Sequence, residues 1–433
     1  MKQKRTITKQ FAEYVSMNVL GMIGISLYIL ADTFFVSNGV GIKGLTALNL
    51  AIPVFNLIFA VGLMCGMGGS TRYAILRGEG EHEKAEEMFT QSVYAAAFFA
   101  ILILAAGLLF PSRIARMLGA GNEVFDLTKN YFVTIVCFTP VFCANHLLNC
   151  FIRNDGSPRL AMAAMTAGSL ANIVFDYIFI YPLKMGMLGA ALATGTSPIV
   201  GLLILSRHFK RGNSQFHLIS CRPSFAKMAD ILRLGFSSFI NEISSGVVIF
   251  VFNMIILKTA GNVGVAAYGV VANVALVISA VFTGIGQGIQ PLISRSFGSG
   301  DRKSMKKVFH MAVGTALVLA VISYGIIVLW HEGIVSVFNS EGNRQMAKIA
   351  GRGLLIYFTG FLFCGFNIVS VFYFSAASQA GKAFCISTIR GMFAIVAFAV
   401  ILSHFFGMTG IWLSFPAAEI FTAVFSVLFY KFR

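Results

Sequence analysis

Twelve apolar stretches, each near the ~20 residues that cross a bilayer, constrain this chain more than any other feature. They fall near 13–37, 46–71, 88–111, 130–152, 160–183, 187–206, 231–258, 263–293, 308–330, 350–374, 384–404 and 408–430. In hydrocarbon a lipid-facing segment must satisfy its own backbone N–H and C=O groups, so runs of this length read as helices. They lack the apolar–polar alternation of a barrel strand. Of the 433 residues 57% are hydrophobic and 12% charged, more apolar surface than a soluble fold of this length can cover. The 43 glycines suit helices that pack closely. The predicted fold class is therefore an all-α integral membrane protein with twelve transmembrane helices.

The formal charge of +16 does not point to nucleic acid, because the Lys and Arg lie in short gaps between apolar runs and not along one face. They orient helices instead. With the N-terminus inside, the inner gaps (2–9, 72–84, 153–159, 207–233, 295–307, 382–390 and 431–433) hold 24 Lys and Arg, and the outer gaps hold 9. That bias predicts a multi-pass protein of the plasma (or bacterial inner) membrane with both termini cytoplasmic. The first apolar run is too long for a signal-peptide core and is expected to remain in the mature protein. The seven cysteines show no metal or redox spacing and read as reduced packing residues.

One constant shift lays one half of the chain over the other. Gly41, Gly44 and Ala47 fall on Gly261, Gly264 and Ala267; Gly66, Gly68, Gly78 and Gly80 fall on Gly286, Gly288, Gly298 and Gly300. One residue out of phase, "GMLGAAL" at 186 meets "GMTGIWL" at 407. The predicted organisation is a six-helix lobe at 1–206, a cytoplasmic linker at 207–230 and a second six-helix lobe at 231–433. An even number of spans per repeat gives two pseudo-symmetric bundles of the same orientation, related by an axis along the membrane normal and able to rock around a central cavity. Pro53, Pro140, Pro198 and Pro416 interrupt predicted spans, where each frees a backbone carbonyl.

Charges inside the membrane are costly and mark pathways or partners. The intramembrane ionisable residues are Asp32, Asp176, Glu242 and Glu419, with His146 and Arg390. In "NIVFDYIFIYPLKMGMLGAALAT", Asn172 and Asp176 share a helix face at i and i+4. Asp176 lies about 12 Å and Thr194 about 15 Å below the outer edge, at about 1.5 Å per residue, and Asp32 sits high on the first span. These four groups are expected to meet in the outer half of the first lobe. Phe252 and Ala397 occupy the positions of Asp32 and Asp176 in the second lobe, so the site belongs to one copy only. His146 reads as a hydrogen-bonded packing histidine, and Arg72, Arg295 and Arg390 read as interfacial anchors.

"ADTFFVS" with "GIKGLTALNLAIP", then "NDGSPRLAM", the segment at 172–194, "GIGQGIQPLISRSFGSG" and "FGMTGIWLSFPAAE" together resemble the multidrug and toxic compound extrusion (MATE) transporters, across nearly the whole chain. The resemblance implies a secondary antiporter that exports organic, often cationic, compounds in exchange for protons or sodium ions. It also implies that Asp32, Asn172, Asp176 and Thr194 match the family's first-lobe cation or proton site. Some sodium-coupled members carry an acidic pair on helices 7 and 10. Here the seventh span has Glu242, but "GFLFCGFNIVSVFYFSA" on the tenth has no acid. Glu419 on the twelfth, about 18 Å deep against about 14 Å for Glu242, is the candidate partner in a second-lobe site.

Two close, desolvated carboxyls can hold one proton between them or coordinate one sodium ion, with Asn172 and Thr194 adding neutral oxygens. The expected partners are small organic substrates and the lipid bilayer, acting on a monomer. Apart from the coupling ion, proton favoured over sodium, no cofactor or resident metal is expected. An enzyme is disfavoured: there is no HExxH, no strand-borne GxSxG and no paired Asp motif within a span. The alternative transport reading is a lipid-linked precursor flippase of the same broader superfamily.

Overall fold

The computed structural model describes residues 6–210, 212, 214–339 and 342–431. The basic residues Lys2, Lys4, Arg5, Arg211 and Arg433, counted above for orientation, lie outside them. Among the described residues the regular structure is entirely helical, and twelve helices span the apolar stretches.

These are α1 (Ile7–Gly39), α2 (Ile42–Glu79), α3 (His82–Leu109), α4 (Phe125–Cys137 and Thr139–Asn154, bent by 48°), α5 (Pro158–Ile180) and α6 (Gly186–Leu205). In the second half follow α7 (225–260) and α8 (262–298), separated at Gly261, then α9 (Arg302–Phe338). Next come α10 (Arg344–Tyr357 and Phe361–Ala376, joined by a 3₁₀ turn), α11 (380–406) and α12 (408–431). Nearly every helix outruns its apolar stretch, because a helix continues through the polar interface until a breaker or a cap ends it. Apolar side chains such as Leu27, Phe34, Phe250 and Phe405 stay more than half exposed, as a lipid-facing belt requires.

The repeat is visible in the backbone. Gly41 between α1 and α2 has φ 86°, and its counterpart Gly261 between α7 and α8 has φ 63°. A left-handed residue is what turns one helix directly into an antiparallel neighbour, and only glycine adopts it without a Cβ penalty. Gly80 and Gly300 pair in the same way (87° and 73°), as do Gly186 and Gly407 (both 56°).

Glycines also set how the lobes meet. A Cβ on Gly68 of α2 would collide with the Ile231 carbonyl of α7, and one on Gly288 of α8 would strike the backbone of Tyr14 and Val15 in α1. The shift that superposes the two halves also relates these two contacts. Gly78 and Gly298, equivalent to each other, are in mutual contact: a Cβ on either would stand 3.1 Å from the other's Cα. Equivalent residues touch where a pseudo-two-fold axis passes. All these contacts lie toward the end of the bundle that holds residues 6 and 431.

That end is also tied by polar bonds between the lobes. Arg72 pairs with Asp230 at 2.6 Å, and Glu87 pairs with Lys227. Asn154 Nδ2 donates to Gln290 Oε1 at 2.9 Å, while Gln290 Nε2 donates to Thr71 Oγ1 at 2.8 Å. Arg72 is thus half of a lobe-to-lobe ion pair and not a lipid anchor. Its partner Asp230 falls in the predicted linker because α7 begins at Phe225, ahead of its apolar run. The rest of the linker is strapped to the first lobe: Gln91 holds the Arg222 carbonyl and the Ser224 amide, and Phe216 is fully buried among Tyr73, Phe89 and Phe151.

Pro140 stands at the 48° bend that interrupts the span of α4. It opens the second piece of α4, where its missing N–H has no partner to lose. Pro53, Pro198 and Pro416 do lie inside helices.

Candidate functional site

The first-lobe group assembles from three helices. Asp32 of α1 is 8% exposed, Asn172 and Asp176 of α5 are fully buried, and Thr194 of α6 is 4% exposed. Asn172 Nδ2 donates to Thr194 Oγ1 at 3.5 Å. The carboxyls of Asp32 and Asp176 are direct side-chain neighbours. Depth counting placed these residues at one level, and the helix faces then bring them together.

Pro198, one turn beyond Thr194, removes the N–H that the Thr194 carbonyl would have accepted. Ser197 Oγ donates to that carbonyl at 3.1 Å instead, so the backbone stays satisfied where α6 passes the site. The Tyr131 hydroxyl of α4 reaches Thr194, and Tyr28 and Tyr131 both face the two carboxyls. Neither tyrosine was singled out in the sequence. Tyr28 lies one turn before Asp32 on the same helix face, and that spacing was the available signal.

Four buried side-chain oxygens here lack a hydrogen-bond donor: Asp32 Oδ1, Asn172 Oδ1 and both oxygens of Asp176. Two carboxylates cannot bond to each other, since a carboxylate only accepts. A bond between them requires a proton, and a joint site without a proton requires a cation. Buried acceptors left open in this number are rare. The donor set of carboxylate, amide and hydroxyl oxygens is of the kind that fits a proton or a hard cation such as sodium. At the position equivalent to Asp32, Phe252 is buried with its ring stacked on Tyr268 at 5.2 Å.

Between the lobes lies a cavity of about 300 Å³. One wall carries Met22, Ile25, Phe55 and Phe59; the other carries Tyr268, Tyr357 and Phe415 with Glu242, Arg390 and Glu419. Glu242 and Glu419 thus share a cavity, but the structure does not join them as an acid pair. Glu419 is 1% exposed; its Oε1 accepts from Arg390 Nε at 2.7 Å and its Oε2 from Asn367 Nδ2 at 2.8 Å. Arg390 also donates to Asn241 Oδ1 at 3.2 Å. Asn367 stands on α10, the helix where an acid was lacking.

Arg390 is consequently the partly buried partner of a buried carboxylate and not an interfacial anchor. Helix α11 begins at Ala380, which puts Arg390 well inside the span, in a π turn over Ile389–Ala394. Such turns re-aim side chains and recur at functional positions. The signal was present: counted from Lys382 it lies about 12 Å deep, within reach of Glu419 for a long side chain. His146 packs its ring against Phe59 with centroids 4.1 Å apart.

Comparison with known proteins agrees with this architecture. The MatE family model matches residues 18–178 and again 238–401, two segments whose starts are offset as Gly41 and Gly261 are. The multidrug export protein MepA of Staphylococcus saprophyticus is 25% identical over 98% of this chain and 94% of its own length. MepA of Staphylococcus haemolyticus is 26% identical over 96% and 92%. Among solved structures, an outward-facing MATE family multidrug resistance transporter of the MOP superfamily superposes with a TM-score of 0.93 at 24% identity, covering 98% of this chain and 95% of that one.

Proposed function

The chain belongs to the MatE family, and from that premise we propose that it is a multidrug efflux antiporter that exports small organic cations in exchange for protons or sodium ions. The observation that carries the exchange is the set of four open oxygens at Asp32, Asn172 and Asp176, a buried site that lacks one positive charge. The aromatic and methionine walls of the interlobe cavity, with Glu242 among them, suit an apolar cation.

Coupling needs only that each ligand bind two lobe arrangements differently. In the arrangement seen here the lobes are sealed at the end that holds residues 6 and 431. The Lys and Arg bias puts that end in the cytoplasm, so the cavity belongs to the outward-facing half of the cycle. An ion entering from outside loads Asp32 and Asp176, the lobes reverse, and substrate from inside favours the return. The cavity lies between two lobes of one chain, which supports function as a monomer. A lipid-linked precursor flippase is not favoured, since the relatives named above are drug exporters.

The test is uptake of a fluorescent organic cation into everted vesicles under a pH gradient alone and a sodium gradient alone, for wild type and Asp176→Asn. Uptake driven by one gradient and lost in the variant is expected, and it names the ion. Undiminished driven uptake in Asp176→Asn would overturn the coupling role of this site.

A further inference from the structure

Arg153 is the single arginine of α4, counted in the sequence among the loop cations that orient the helices. Its side chain instead turns into the protein and is 1% exposed. Nη1 donates to Asn18 Oδ1 of α1 at 2.7 Å and to Gln287 Oε1 of α8 at 2.8 Å. Nη2 reaches only sulfur, Met67 Sδ at 3.2 Å and Cys150 Sγ at 3.6 Å, and Nε has no acceptor. The titratable groups that act on it are Cys150 and Tyr14, and neither is a carboxylate. A buried guanidinium is normally matched by an anion, because leaving such a charge unpaired is costly.

A cavity of about 70 Å³ adjoins it, several times the space one water needs. Asn145, Asn149, Ser169, Ser197 and Gln287 add polar groups to its wall, and neither Asp nor Glu lines it. The pocket meets the interlobe cavity at Met22, Ile25 and Phe59. A molecule in the large cavity is separated from the small one only by these three side chains.

We propose that this pocket is an anion site, with Arg153 supplying the charge, and that it takes a free halide or the carboxylate of a zwitterionic organic substrate. Gln287 belongs to the second lobe and Arg153 to the first, so the site is complete only while the lobes touch. An anion bound there stabilises the arrangement sealed at the terminal end. The halide form stands on this geometry alone, and the carboxylate form rests on the efflux reading. Both are read at equilibrium without a gradient, so loss of antiport elsewhere leaves the test intact.

Purified full-length protein in detergent is melted in sodium bromide and in sodium gluconate at equal sodium, and bound rhodamine 110, which carries a free carboxyl, is compared with rhodamine 123, its methyl ester. Two variants are used: Arg153→Gln, and Gly168→Val, which places a side chain in the pocket while leaving Arg153. A Cβ at Gly168 meets only the Ser197 carbonyl oxygen, at 3.4 Å, so this variant is expected to fold even where Arg153→Gln does not. A saturable rise of the melting midpoint in bromide, absent from either variant, establishes a halide site. A preference for rhodamine 110 that falls about tenfold or more in the variants, as loss of a charge-assisted bond predicts, establishes a substrate carboxylate. The proposal is overturned if bromide matches gluconate in the wild type and neither variant changes the rhodamine ratio, or if the bromide shift survives in both variants.

Discussion

Replacing Gly298 by alanine separates a working closure from a static scaffold. The added methyl would stand 2.0 Å from the Ile75 carbonyl oxygen, 2.9 Å from the Ile75 carbonyl carbon and 3.1 Å from Gly78 Cα. All three atoms are backbone of α2, so no side chain can swing aside. Relief requires α2 and α8 to part where the pseudo-two-fold axis passes. Overpacking a close contact costs about 1–3 kcal/mol, and here the cost falls only on the arrangement in which the lobes touch. Alanine is otherwise the better helix former, so the variant is expected to fold. A bias of about 1–3 kcal/mol moves a two-state ratio by roughly 5- to 150-fold.

The assay is the distance between spin labels at Glu83 and Lys303, equivalent positions exposed at the sealed end. The exposed Cys137 and the partly exposed Cys221 and Cys385 are first changed to serine. Wild type is expected to give a short distance, and Gly298→Ala a growing population at a longer one. Gly314→Ala on α9, where a Cβ meets nothing within 4 Å, serves as control and leaves the distribution unchanged. An unaltered distance in Gly298→Ala with a lowered melting midpoint would refute the reasoning, because the contact would then be scaffold alone.

Two further outcomes follow from single contacts. Arg390→Gln strands the buried Glu419 carboxylate with Asn367 as its remaining side-chain donor, a loss of about 3–5 kcal/mol seen as a lower melting midpoint; Arg390→Gln with Glu419→Gln recovers most of it, and a double variant no more stable than the single one argues against the pair. At the start of α9, outside the membrane, Ser304 N–H donates to Asp301 Oδ1 at 3.0 Å, and bonds from Ser304 hold the carboxyl below its ordinary value of 3.8. A lowered value stabilises the folded state above pH 3.8 and loses that stabilisation as pH falls through the lowered value. Hydrogen exchange at the Ser304 amide should therefore be slow at neutral pH and quicken, relative to its intrinsic rate, in acid, whereas Asp301→Ala shows no such change.

Depth along a helix is legible in a sequence, because a rise of about 1.5 Å per residue converts position into height. That conversion brought Asp32, Asn172, Asp176 and Thr194 to one level, and the constant offset between the two halves anticipated the matched turns at Gly41 and Gly261. Rotation about the helix axis is less legible. Arg390 and Glu419 were both recognised as intramembrane charges, yet their pairing depends on a π turn that re-aims one of them. Arg153 illustrates the same limit. Its number places it at a helix end among cations that face water, and only the inward turn of its side chain shows that it does not.

The two copies of the helix pair, α5 with α6 and α11 with α12, share a glycine turn at Gly186 and Gly407 and differ in chemistry. In the first, Asn172 and Asp176 present oxygens with no donor; in the second, Glu419 is held by Arg390. A ligand shifts a conformational equilibrium only through the difference in its affinity for the two states, and it must come and go to do so. A guanidinium tethered to α11 cannot leave, so the second pair offers no exchangeable charge while Arg390 is bound. On the antiport reading, the free energy that drives the lobes enters through the first copy. The second copy keeps its carboxylate neutralised at the wall of the interlobe cavity. The acids of the two copies therefore do not occupy equivalent positions: Ala397 stands where Asp176 does, and Glu419 lies on the twelfth helix, paired with Arg390.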